Sequence, residues 1–140
     1  MESLIQCHKI SKELSGRILF KELSLDISKQ ERLGVIGPNG AGKSTLAHII
    51  NENQSPDNGK YTKKNNLTSC YIKQKTLYSS SATIEDILVE NDHNIDISKI
   101  NKITSQLAID DLSKKITELS GGWIKKVELA RAFVKDYDFV

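Results

Sequence analysis

Apolar positions change their spacing along this chain. In the first part they alternate or cluster in short runs; later they recur every three or four residues. Leu4–Ile10 and Leu19–Ile27 read as short strands, with Leu23, Leu25 and Ile27 on one face at period two. Gly16-Arg17 between them carries a turn signal. Arg32-Leu-Gly-Val-Ile36 is a short apolar run consistent with a buried strand that leads straight into Gly37. Thr45-Leu-Ala-His-Ile-Ile50 predicts a helix, stopped by the polar run before Pro56, and Asp57-Asn-Gly59 predicts a turn. Leu67–Ile72 reads as another strand.

From there the helical period takes over. Thr83-Ile-Glu-Asp86 has a capping threonine and acidic residues in a first turn, which predicts a short helix. Ile97, Ile100, Ile103 and Leu107 fall at helical spacing. Leu119-Ser-Gly-Gly-Trp123 predicts a glycine-containing loop, followed by a helix over about Ile124–Lys135. Asp138-Phe139-Val140 reads as the opening of an apolar strand. The order implies an α/β chain with a strand-rich start and a helical insert. It divides as 1–60, 61–80, 81–118 and 119–140, with no internal repeat, low-complexity tract or linker.

Composition changes this picture little. With 140 residues, 38% hydrophobic content and a net charge of +2, there is room for one domain and no charge bias toward nucleic acid or membranes. The Lys63-Lys64 and Lys125-Lys126 pairs read as solvated faces, since no aromatic residues interleave with them. Cys7 and Cys70 lack metal spacing or a bridge framework and are expected to be buried or half-buried free thiols in a reducing compartment. No stretch approaches the roughly 18 apolar residues of a membrane span. The start lacks a basic region followed by an apolar core, so the expectation is a cytoplasmic protein.

Candidate chemistry begins at Gly37-Pro-Asn-Gly-Ala-Gly-Lys-Ser-Thr45, which fits G-x-x-x-x-G-K-[ST]. Phosphates carry several negative charges that must be met without crowding. Gly37, Gly40 and Gly42 let the loop, with Pro38, Asn39 and Ala41, wrap round and turn successive N–H groups inward. The following helix adds unpaired N–H donors and a favourable dipole. Lys43 supplies a mobile positive charge for the β- and γ-phosphates, Ser44 a hydroxyl for Mg²⁺, and Thr45 a further phosphate contact. A strand before, a helix after and every fixed position matched set this apart from a glycine-rich turn with a surface lysine.

Leu119-Ser-Gly-Gly-Trp123, read with Glu128-Leu-Ala-Arg-Ala132, resembles the signature segment of ATP-binding cassette (ABC) ATPases. The resemblance covers nearly the whole chain in the family's order. It implies a P-loop NTPase (ABC ATPase) fold, with an N-terminal β-rich part, a P-loop core and a helical subdomain, incomplete at the C-terminus. It implies ATP and Mg²⁺ as ligands. Gln74 of Tyr71-Ile-Lys-Gln74 matches the Q-loop glutamine, which in the family contacts Mg²⁺ and the attacking water and senses the γ-phosphate. Ser120, Gly121 and Gly122 match the residues that cap the γ-phosphate of ATP held by a second ABC domain facing head to tail. A hydroxyl and glycine N–H groups at a helix start form such an anion site; the plainer alternative is a helix cap by Ser120.

Trp123, where the commonest pattern has glutamine, together with Lys125, Lys126 and the 128–132 run, is similar to the ABC-F branch. So is the compact spacing from Lys43 to Gln74. Members are soluble and carry two ABC domains in one chain; they act on ribosomes, and some are linked to DNA metabolism. The implied function is ATP binding and, in the complete protein, hydrolysis. Two alternatives stand beside it: the ATP-binding subunit of a membrane transporter, and a truncated nucleotide-binding module without activity. Two departures are expected to matter. Leu14 takes the place of the aromatic residue that stacks on adenine, offering an apolar face without a π-system, while Phe20 reads as core. The resemblance places the Walker B aspartate, its adjacent glutamate base and the switch histidine beyond Val140, and His8, His48 and His93 match none of them. A chain ending at Val140 is expected to leave an unpaired apolar edge beside the phosphate-loop strand.

Overall fold

The computed structural model describes residues 2–90 and 95–140, which form two compact units, residues 1–69 and 70–140. His93 lies outside the described residues.

The first unit is built on a long hairpin, β1 (Ser3–Leu14) and β2 (Arg17–Ser28), with β3 (Asn58–Lys63) on the other side of β1. The order is β2-β1-β3 and both pairings are antiparallel. Leu23, Leu25 and Ile27 do turn inward, while Ser24 and Asp26 between them are exposed. Ile5, Ile10 and Ile27, with Leu46, Ile49 and Ile50 of α1 (Lys43–Ile50), are buried in this unit's core. Tyr61 on β3 donates its hydroxyl to the Ile50 carbonyl at 2.8 Å. Burial, then the charges of Glu52 and Cys7, push its pKa up to about 12, so this donor stays protonated.

β1 is too long to pair evenly on both sides, and its register slips at several points, including Cys7/Ile10. Side-chain hydroxyls take over the bonds lost there. Ser24 Oγ accepts from the Lys9 N–H and Ser11 Oγ from the Glu22 N–H, each at 3.0 Å. β3 is a correction to the expected turn at 57–59. Asp57 precedes the strand, where its carboxylate accepts from Lys12 Nζ at 2.6 Å and from the Glu13 N–H at 2.7 Å. Asn58 and Gly59 belong to the strand itself. Gly59 is there because the Lys9 bulge presses on it: its φ is +90°, and an added Cβ would lie 2.3 Å from the Lys9 carbonyl oxygen.

Two other expected strands are not formed. Arg32–Ile36 carries no ladder, and Leu33, Val35 and Ile36 are 45%, 46% and 94% exposed. An apolar run becomes a strand only when neighbours complete its hydrogen bonds, and among the described residues none pairs with it. Leu67–Ile72 likewise forms no continuous strand, although the Cys70 N–H donates to the Phe139 carbonyl at 2.9 Å. Both cysteines are buried and free, and burial pushes the Cys7 thiol up.

The second unit is helical: α2 (Ile84–Val89), α3 (Ile97–Gln106), a 3₁₀ turn at Ile116–Glu118 and α4 (Gly121–Val134). Thr83 caps α2 in a full capping box with Asp86. α4 packs on α2 and α3, around a core that includes Ile84, Leu88, Ile100, Ile116, Val127 and Ala130. Glu90, just beyond α2, accepts from Arg131 at 3.0 Å through each carboxylate oxygen and from Lys135 at 3.1 Å. α4 starts at Gly121 rather than near Ile124, so the glycine pair sits in its first turn instead of a preceding loop.

Replacing Gly59 with alanine places a Cβ against the Lys9 backbone and strains a positive φ. We expect the variant to lose at least about 2 kcal/mol in urea unfolding; an unchanged midpoint would show that the bulge can move aside.

Candidate nucleotide-binding site

The phosphate loop runs from the exposed 32–36 stretch into α1, and its shape follows from a packing contact. Gly42 is the N-cap of α1 and has a left-handed backbone (φ +89°). An added Cβ would lie 3.0 Å from Leu19 Cβ and 3.3 Å from Phe20 Cδ1. Strand β2 thus fixes the point where the loop becomes a helix. Phe20 is half-buried against this glycine rather than in the core. Leu14, 52% exposed, lies at the end of the hairpin opposite Arg17.

Gly37 to Gly40 are exposed, as is Ser44, whereas Ala41, Gly42, Lys43 and Thr45 are half-buried. Lys43 Nζ curls back into the loop and donates to the carbonyls of Gly37 and Pro38, each at 2.8 Å. The first N–H groups of α1 have no intrahelical acceptor by geometry. A ring of small residues, a helix start and an ammonium aimed into the curl together fit a phosphate chain. Arg17 is the residue that sequence reasoning missed. Its guanidinium Nη1 lies 3.6 Å from where a Cβ on Gly40 would stand. Only the hairpin geometry, not any spacing along the chain, brings it to the loop.

In the second unit, Gln74 is exposed on a bend, and Ser120 caps α4, its Oγ accepting from the Trp123 N–H at 3.4 Å. The cap reading of Ser120 is therefore correct, yet the hydroxyl still has its own proton to donate. An added Cβ on Gly121 or Gly122 would meet nothing within 4 Å among the described residues. Glycine in a helix costs about 1 kcal/mol relative to alanine, and nothing within the unit requires it. The space over the pair suits the close approach of another molecule.

The two lysines behind the pair are not simply solvated. Lys126 Nζ lies 4.2 Å from the Trp123 ring centroid, and Lys125 pairs with Glu128. Lys63 and Lys64 pair with Glu52 and Glu2. Glu128 is 1% exposed. Burial raises its pKa, but hydrogen bonds from Lys125, Thr76 and Tyr78 outweigh that and hold it below the ordinary glutamate value. Its contribution to stability is therefore present above that ordinary value and is lost as pH falls through the lowered one. His8 lies on β1 and His48 on α1.

The sequence pattern of the family described as "ABC transporter" matches residues 20–140. The chain belongs to that family. It is 33% identical over 147 residues to the "ATP-binding protein Uup" of Buchnera aphidicola subsp. Acyrthosiphon pisum, covering 99% of this chain and 24% of that protein. It is 36% identical over 137 residues to the "Zinc import ATP-binding protein ZnuC" of Buchnera aphidicola subsp. Baizongia pistaciae, covering 96% of this chain and 58% of that one. The chain thus spans a quarter to somewhat over half the length of these relatives. Among solved structures, an ATP-binding cassette of an ABC transporter superposes with a TM-score of 0.76 at 22% identity, covering 98% of this chain and 67% of that one. An ATP-bound bacterial Atm1-family ABC exporter does so with 0.77 at 18%, covering 98% and 28%. The fold is that of ABC nucleotide-binding domains, and domains of this family bind ATP.

Gly42→Ala adds a side chain between α1 and β2 and strains the N-cap. ATP affinity of the whole protein should fall at least about tenfold, read by titration with Mg-ATP. Unaltered affinity would mean that the loop shape does not depend on Gly42.

Proposed function

We propose that the chain is the ATP-binding part of an ABC-F-like ATPase that hydrolyses ATP to ADP and phosphate. The observation that carries the chemistry is Lys43 drawn into the Gly37–Pro38 curl at the head of α1. In this reading phosphate oxygens replace those two carbonyls as acceptors. The ammonium then follows the charge that develops on the β/γ bridge as the anhydride bond breaks. The loop N–H groups from Gly37 to Thr45 hold the phosphates in one orientation, which is the larger part of catalysis in phosphoryl transfer.

Ser44 would hold Mg²⁺, which supplies charge neutralisation between the β- and γ-phosphates when bound. Gln74 is given the role of a further Mg²⁺ ligand and of positioning the attacking water. Ser120, with the open glycine pair behind it, is given the role of capping the γ-phosphate of an ATP held by a second ABC domain. What supports the ABC-F branch is the match to Uup over 99% of the chain and Trp123 under Lys126 at the signature. The partner in that reading is a ribosome or another nucleic-acid particle.

A second reading, the ATP-binding subunit of a membrane transporter, is favoured by the 36% identity to ZnuC. None of the described helices is long and apolar enough to cross a membrane, so a transporter would need its channel from elsewhere. A nucleotide-binding module without turnover is the third reading.

Phosphate release by the whole protein separates these readings. With Lys43→Ala we expect the rate to fall roughly 10²-fold or more. Native protein that binds ATP yet releases no phosphate would leave only the binding module. Co-sedimentation of the ATP-loaded protein with ribosomes supports ABC-F, and fractionation with membranes supports the transporter subunit.

A further inference from the structure

Residues 73–78 form a short arc fastened to one turn of α4 at three points. Lys125 Nζ donates to the Lys73 carbonyl and to Glu128 Oε2. The Tyr78 hydroxyl donates to Glu128 Oε1 at 3.0 Å, and the Thr76 side chain adds a third hydrogen bond to the same carboxylate. Gln74 lies between these fastenings, on an exposed bend. A carboxylate as buried as Glu128 is costly unless every lone pair is met, and here the groups that meet it come from the Gln74 arc and from α4.

We infer that Glu128 is a positioning residue: through Lys125, Thr76 and Tyr78 it sets where the Gln74 side chain stands relative to α4. The inference rests on the ATPase reading above, because Gln74 has work to do only if it meets a γ-phosphate or its attacking water. The cluster has a directional consequence. Ser120 caps the same helix, about 12 Å from Glu128 by helical rise. A displacement of α4 imposed at its signature end is therefore carried to Gln74 by three hydrogen-bonded groups rather than by a slack loop. A carboxylate that merely staples a loop would stabilise the fold without any energetic link to Gln74.

A double-mutant cycle distinguishes the two, using kcat for phosphate release by the whole protein and ATP affinity measured separately. Glu128→Gln keeps the shape but removes the charge, and Lys125→Met cuts the tie to Lys73 from a half-exposed side chain. Each is expected to lower kcat about tenfold, because small misplacements of a reacting group are costly, while ATP affinity stays within about twofold. In a Gln74→Ala background the same substitutions should cost less than about twofold. Equal losses in both backgrounds, or an unchanged kcat in Lys125→Met, overturn the inference. If Glu128→Gln does not fold, Lys125→Met decides alone. Native protein that binds ATP yet releases no phosphate would instead sink the ATPase reading, and is distinct from either result.

Discussion

The fold of the first unit turns on one close contact, the approach of Gly42 to Leu19 and Phe20. A phosphate-binding loop has to expose backbone N–H groups at a helix start and still hold one shape, and glycines by themselves give it none. Here β2 provides the rigid wall. The wall works only because β1 is held between β2 and β3, with Ser11 and Ser24 mending the irregular ladder and Gly59 admitting the Lys9 bulge. The hairpin that shapes the loop also brings Arg17 beside Gly40. Position along the hairpin, not spacing along the chain, puts that guanidinium at the loop.

The second unit solves a different problem. Gly121 and Gly122 leave bare backbone at the start of α4 while Ser120 satisfies the cap. The far part of the same helix is held tightly, by the apolar core around Val127 and Ala130 and by Glu90 gripping Arg131 and Lys135. A helix free at one end and clamped at the other can transmit a force. Glu128, buried between those ends, is the group through which the Gln74 arc would feel it.

Much of this was legible in the sequence, since local rules govern it. The capping box at Thr83, the α3 spacing and the inward face of Leu23, Leu25 and Ile27 each depend on a few neighbouring residues. The phosphate loop was legible because its glycines, lysine and serine serve a fixed geometry. What was hidden depends on distant partners. Arg32–Ile36 reads as a strand yet has no ladder, because hydrogen-bonded neighbours make a strand and apolar content does not. β3 was missed because Asn58-Gly59 has turn composition, and only the bulge across from it explains the glycine. Lys125 and Lys126 read as solvated until Trp123 and Glu128 were seen beside them. The role of Glu128 could not be read from a run whose signal was family resemblance, because its partners lie some fifty positions back in the chain.

On the reading proposed above, Lys43 and the loop from Gly37 to Thr45 hold the phosphates of ATP. The most direct measurement is a crystal structure of the whole protein with Mg²⁺ and a non-hydrolysable ATP analogue. The triphosphate is expected along this loop, with Lys43 Nζ moved from the Gly37 and Pro38 carbonyls to the β- and γ-phosphate oxygens. A nucleotide bound elsewhere, with Lys43 still bonded to those two carbonyls, would contradict it.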